Sequence, residues 1–144
     1  MGRGSSLLPD STGFNRRVLH VEDDPITRET IHGILSIDHD VVSACGLNDA
    51  LDLARDGRFD LYLLGGMFRD GSSLELCYEL RLLDPRVPVL FHSSLPKDLR
   101  QRLLVAGVTE IIDKTGPVEA LAAAVRRHFD ALTLPRRRTA SSAG

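Results

Sequence analysis

Five short apolar runs, each followed by a stretch with helical periodicity, set the limits on what this chain folds into. The runs are Val18-Leu19-His20-Val21, Val41-Val42-Ser43-Ala44, Leu61-Tyr62-Leu63-Leu64, Pro88-Val89-Leu90-Phe91 and Glu110-Ile111-Ile112. Runs that are apolar throughout, rather than alternating, suit strands covered on both faces, the environment of a parallel sheet. The stretches between them supply the covers. Asp24 followed by Pro25 makes an N-cap and first-turn pair, opening a helix with apolar positions Ile26, Ile31, Ile34 and Leu35. Leu47, Leu51 and Ala54 mark a second helix ending near Gly57, and Leu74, Cys77, Leu80 and Leu83 a third, stopped before Pro85. Leu99, Leu103 and Val105 mark a fourth that ends at Gly107. Val118, Leu121, Ala122, Val125 and Phe129 mark a fifth over about 117–131. Right-handed crossovers leave few ways to connect these units, so the expectation is an α/β fold with a doubly wound, five-stranded parallel sheet.

The 144 residues suffice for one domain. Residues 1–15 and 133–144 are polar, rich in Gly, Ser or Arg and without periodicity, so they read as flexible tails around a domain at 16–132. The knot Arg136-Arg137-Arg138 reads as solvated tail, or as an electrostatic contact with a partner or an anionic surface. A net charge of −2 gives no general argument for nucleic-acid binding. No run approaches the ~18 apolar residues of a membrane span, and no basic-then-apolar leader opens the chain, so a cytoplasmic location is expected. Cys45 and Cys77 form neither a metal-ligand spacing nor a disulfide framework and read as small apolar residues. His20 and His92 lack a third ligand for zinc, and His20 reads as a packed residue. Gly65-Gly66 lacks the Lys-Ser/Thr continuation of a phosphate loop. No Ser-His-Asp or Cys-His arrangement is supported.

In doubly wound sheets, ligand chemistry gathers beyond the carboxyl ends of the strands, which singles out Glu22, Asp23, Gly65, Ser93 and Lys114. Four segments carry a resemblance here: VLHVEDDP, FDLYLLGGMFRDGSSLELC, PVLFHSS and GVTEIIDK. In this order and spacing, the stretch from about 17 to 127 resembles the receiver domain of two-component response regulators. The resemblance implies the flavodoxin-like (βα)5 receiver fold. It also implies that Glu22 and Asp23 are the acidic pair, Ser93 the hydroxyl switch residue and Lys114 the pocket lysine.

The same resemblance exposes departures. Receivers are phosphorylated on an aspartate at the end of the third strand, and that position falls on Gly65, which has no carboxylate. Ile111 stands where an aromatic switch residue is usual, Thr115 where a cis-proline follows the lysine, and Arg69 where proline follows the phosphoacceptor. Asp60, at the start of the strand, is on the order of 16 Å away. Asp70 lies in the following loop with no fixed attack geometry. The expectation is therefore a degenerate, non-enzymatic receiver, standing alone and signalling through phosphorylation-independent protein contacts. The alternative is an active receiver phosphorylated on a substitute carboxylate such as Asp70.

Charge counting extends this reading. The family's three carboxylates and one lysine leave −2, which Mg²⁺ neutralises; Glu22, Asp23 and Lys114 leave only −1. Two arrangements stay open: an acidic pair held by Lys114 without metal, and weak residual Mg²⁺ binding at Glu22 and Asp23. In the family, the fourth helix, fifth strand and fifth helix carry the signal to a partner or to a second copy of the chain. The matching residues are Lys97, Arg100, Gln101 and Arg102, with Glu119, Ala123, Arg126 and Arg127. Ala120, Ala123 and Ala124 are small enough for a close helix approach, and a homodimer through this face is one expectation. A merely solvated face is the other.

Overall fold

A computed structural model of the chain describes residues 16–94 and 97–133, without the side chains of Lys97 and Thr133. The segments read as tails, Arg136–Arg138 included, lie outside the described residues apart from position 133. Elements alternate as β1 (Arg17–Val21), α1 (Pro25–Leu35), β2 (Asp40–Ala44), α2 (Leu47–Asp56), β3 (Leu61–Leu64), α3 (Ser73–Leu83), β4 (Val89–His92), α4 (Lys97–Val105), β5 (Glu110–Ile112) and α5 (Val118–Thr133). A two-residue antiparallel hairpin, Met67–Phe68 against Gly71–Ser72, interrupts the passage from β3 to α3. The five strands pair in parallel in the order β2-β1-β3-β4-β5.

The central strands β1, β3 and β4 are buried on both faces, as their unbroken apolar runs require, while the edge strands β2 and β5 are buried in part. One face packs Leu19, Val21, Tyr62, Leu64, Val89 and Phe91 beneath α2, α3 and α4. The other packs Val18, Leu61, Leu63, Leu90 and Ile112 beneath α1 and α5, with Leu121, Val125 and Phe129. The doubly wound sheet and all five helices stand where the hydrophobic pattern puts them.

The helical stripes differ in detail. Ile26 is 76% exposed, because the buried face of α1 is set by Ile31 and Leu35, one turn apart. Val105 is 78% exposed: Leu103 and Ala106 turn inward, and residue 105 lies some 200° around the helix from 103. Leu83 runs past the sheet edge and is half exposed, while Ser73 and Leu76 join the buried face of α3 instead. Cys77 is buried as expected; Cys45 is exposed after β2.

The start of α2 has an unusual cap. Gly46 provides no side chain, and Asp70 reaches across from the hairpin to accept from the amides of Leu47 (2.8 Å) and Asn48 (3.0 Å). A Cβ on Gly46 would stand 2.7 Å from Asp70 Oδ1, so the approach needs glycine there. These bonds hold the Asp70 carboxyl below the usual carboxylate range. Asp70→Ala is expected to lower the melting temperature and speed amide exchange at residues 47–50 first. Unchanged exchange there would remove Asp70 from this role.

Candidate functional site

The sheet register brings the singled-out residues to one edge. Val21 pairs with Leu64 across β1 and β3, so Glu22 and Gly65 leave the sheet side by side. The amide of Gly65 donates to the carbonyl of Val21 at 2.7 Å, and that of Glu22 to Ala44 at 3.0 Å. Phe91 pairs with Ile111 and Leu64, and the amide of Ser93 donates to Ile112, which sets Ser93 at the same edge.

What fills the space beside Gly65 is the Glu22 carboxylate. A Cβ placed on Gly65 would lie 2.6 Å from Glu22 Oε1 and 3.2 Å from its Cδ. Glu22 is 4% exposed, and its two oxygens face different partners. Oε1 takes Lys114 Nζ at 3.3 Å, and Oε2 accepts from the amide of Asp24 at 3.1 Å. A buried carboxylate needs such partners, since burial without them costs several kcal/mol. The acidic side chain of β1 therefore occupies the volume that an aspartate at residue 65 would need. Of the acidic pair, Lys114 contacts Glu22 and not Asp23 among the described residues.

Asp23 is half-buried, and its carboxylate makes no hydrogen bond or ion pair among the described residues. Asp24, the third acidic residue, is spent as the cap of α1, accepting from the amide and hydroxyl of Thr27 at 2.9 and 2.6 Å. Arg28 ties the corner down by donating to the carbonyl of Glu22 at 2.8 Å. Mg²⁺ keeps several waters and takes one or two carboxylates. Here one is paired with lysine and one caps a helix, and no group of three His, Cys, Asp or Glu among the described residues could hold a metal ion. Of the carboxylates at this edge, that of Asp23 is the one left without a partner among the described residues.

Ser93 is 8% exposed, and its Oγ would stand 3.2 Å from a Cβ on Gly66. Ile111 is half-buried against the α2–α3–α4 side of the core, a packing residue in the position of the aromatic switch. The described residues carry no cis peptide bond, Thr115 included. Asp70 faces α2, so the loop after β3 delivers no carboxylate to Gly65.

Sequence reasoning missed one participant, Ser73, while its reading of His20 as a packed residue holds. Ser73 donates its hydroxyl to the carbonyls of Gly65 and Gly66, pinning the turn to the start of α3. His20 and His92 lie under the site on the α1–α5 side, 1% and 8% exposed, each with an Nδ1 that has no hydrogen-bond partner among the described residues. Burial lowers His20 to about 3, with His92, His32, Arg28 and Lys114 adding in the same direction. Burial likewise lowers His92. Their period-two placement with Val18 and Leu90 was the available signal.

The α4–β5–α5 face also changes. Ala124 is 1% exposed and faces the core, because it shares the inward stripe of Leu121 and Val125. Arg127 is held by Glu110 through two bonds of 2.9 and 3.3 Å, and Arg126 by Asp38 at 3.3 Å. Arg100 and Arg102 on α4 form no ion pair among the described residues, and the Lys97 side chain lies outside them.

Comparison with known proteins places this geometry. The response regulator receiver domain family matches residues 18–126, and the chain belongs to that family. Over 103 residues it is 36% identical to the sensor histidine kinase AruS of Pseudomonas aeruginosa, a match covering 67% of this chain and 10% of that protein. The chain thus spans about a tenth of the length of this curated relative. Among solved structures it is similar to a two-component response regulator from Clostridium difficile (TM-score 0.78, 19% identity, 83% of this chain and 100% of the other). A CheY-like receiver domain protein from Methanospirillum hungatei gives a TM-score of 0.77 at 21% identity, over 81% and 95% of the two chains. These likenesses establish the fold and a place in two-component signal transduction. No helix among the described residues is long and apolar enough to cross a membrane.

Proposed function

We propose that this receiver works as a phosphorylation-independent binding module, carrying out no group transfer itself and keeping no resident metal. The observation that carries the reading is the Glu22 carboxylate lying over Gly65 and paired with Lys114. Residue 65 offers no nucleophile, and the lysine that contacts phosphoryl oxygens in the family is engaged internally. The other oxygen nucleophile weighed for the role, Asp70, caps α2.

With the switch chemistry absent, one surface state persists, and Ile111 is packed rather than free to flip. Output then passes through the α4–β5–α5 face to a protein partner or a second copy of the chain. Neither nucleic acid nor membrane is part of the reading, and the working location is cytoplasmic. Arg100 and Arg102, which form no close ion pair among the described residues, suit carboxylates on the partner, with exposed Ala120 and Ala123 on α5 permitting close approach. Arg126 and Arg127 contribute through the faces of their ion pairs that stay open to solvent.

Association measured by sedimentation and by capture from the source cell tests the surface. Arg100→Glu with Arg102→Glu is expected to weaken binding about tenfold or more, equally with and without acetyl phosphate. Binding that survives both reversals in a folded protein, or that responds to the phosphodonor, would count against this reading.

A further inference from the structure

The chain enters the sheet at its amino edge, opposite Gly65, and α5 ends at the same edge. Arg16 is fixed there, its carbonyl accepting from the amide of Asp40 at 2.9 Å. Arg16, Leu83 at the end of α3 and Leu132 near the end of α5 line one open depression. Leu83 and Leu132 are 44% and 46% exposed, and Leu82, one residue back on α3, is 81% exposed. Apolar side chains scattered singly on a surface need no explanation, but three at one edge do.

The same edge is basic. Arg55, Arg58 and Arg86 line the depression with Arg16, against Asp60 and Asp84. Both carboxylates are engaged: Asp60 accepts from the amide of Arg17 at 2.8 Å and faces Arg16 at 3.8 Å, and Asp84 accepts from the amide of Arg86 at 3.0 Å. Arg58 and Arg86 form no ion pair among the described residues.

Two segments of the chain start from this edge, and both lie outside the described residues. Residues 134–144 carry Arg136, Arg137 and Arg138 and no acidic side chain, so they would add cations to cations. Residues 1–15 carry Leu7, Leu8 and Phe14, with Asp10 as their one acidic residue. Their reach suits the leucines. Phe14 is two residues from Arg16, a span of at most ~7 Å, and Leu8 is eight residues away, at most ~29 Å. Leu8 precedes Pro9, which biases its backbone toward an extended path. A tethered segment meets its surface at an effective concentration on the order of millimolar, so modest contacts suffice.

We propose that residues 7–14 fold back along the amino edge as a strap, laying Leu7, Leu8 and Phe14 on Leu82, Leu83 and Leu132 and bringing Asp10 to Arg58 and Arg86. The docked strap withdraws these leucines from solvent and from self-association. It does not depend on how the carboxyl edge or the α4–β5–α5 face works, so either can fail alone.

Paramagnetic relaxation in NMR spectra of the full chain tests the strap. A nitroxide is placed on Ser5→Cys in a Cys45→Ser background, where the remaining Cys77 is buried. The amides of Leu82, Leu83, Arg86 and Leu132 are expected to lose intensity several-fold. Leu7→Ser, Leu8→Ser and Phe14→Ser together should return that intensity to the level of a freely tethered label, and Asp10→Asn should return part of it. Deleting residues 134–144 should leave the attenuation unchanged. Attenuation centred on other amides, or insensitivity to the serine substitutions, would overturn the proposal. So would its loss on deleting 134–144, which would make the other segment responsible. Attenuation of an isotope-labelled chain by a separate spin-labelled chain would overturn it as well, since a second copy would then be the occupant.

Discussion

Gly65→Asp is expected to destabilise the protein without metal and to make its melting temperature depend on Mg²⁺, which the natural chain should not show. The new Cβ would arrive 2.6 Å from Glu22 Oε1, so the Glu22 side chain must leave its bed and surrender the contact with Lys114. Three carboxylates then share one strand edge. Each close pair repels by on the order of 4 kcal/mol at 4 Å and an effective dielectric near 20, and one lysine offsets only part of this. Mg²⁺ relieves the repulsion and stabilises the variant by mass action. Thermal melts with and without Mg²⁺, alongside calorimetric Mg²⁺ titration of both proteins, measure the effect. If both proteins melt alike and bind the ion alike, Glu22 is not what fills the place of residue 65.

The second large effect concerns acid. His20 is held at about 3 by burial and by the cations and histidines around it, against 6.5 in the unfolded chain. Between those two values the unfolded chain binds a proton that the folded one refuses. Stability is therefore complete above pH 6.5 and declines as pH falls toward 3, by on the order of 4 kcal/mol in total and about 2 kcal/mol by pH 5. His92, lowered chiefly by its burial, acts in the same direction. Chemical denaturation of the natural chain and of His20→Leu at pH 7.5 and 5 compares the two slopes. The variant should lose distinctly less stability on acidification. Parallel losses would show that His20 is not the proton acceptor that matters.

How far the sequence discloses this molecule depends on the kind of interaction. The five strands and their covers were legible because hydrophobic burial repeats along the chain, as Leu61 to Leu64 show with no polar interruption. The place of Gly65 just past the end of β3 was legible as well, since the apolar run stops at the Gly65-Gly66 pair. The fate of Glu22 was not. Its pose follows from a void left by the missing side chain at residue 65, a relation between two strands rather than a local pattern. Asp70 illustrates the same limit: its cap lies 23 residues away in sequence. Ile26 and Val105 misled because an apolar residue at roughly the right spacing need not be turned inward when neighbours fill the face. On α5, Ala120, Ala123 and Ala124 read as one open surface, although a single helical phase buries Ala124 and leaves Ala123 outside.

Phosphoryl transfer is the point on which a degenerate receiver and an active one differ most. Intact mass spectrometry of the 15.8 kDa chain after incubation with acetyl phosphate and Mg²⁺ measures it directly. With Gly65 lacking a nucleophile and Asp70 capping α2, the mass should remain unchanged. A gain of one phosphoryl group that hydroxylamine removes would be an acyl phosphate on some carboxylate, and would contradict a receiver that works without phosphorylation.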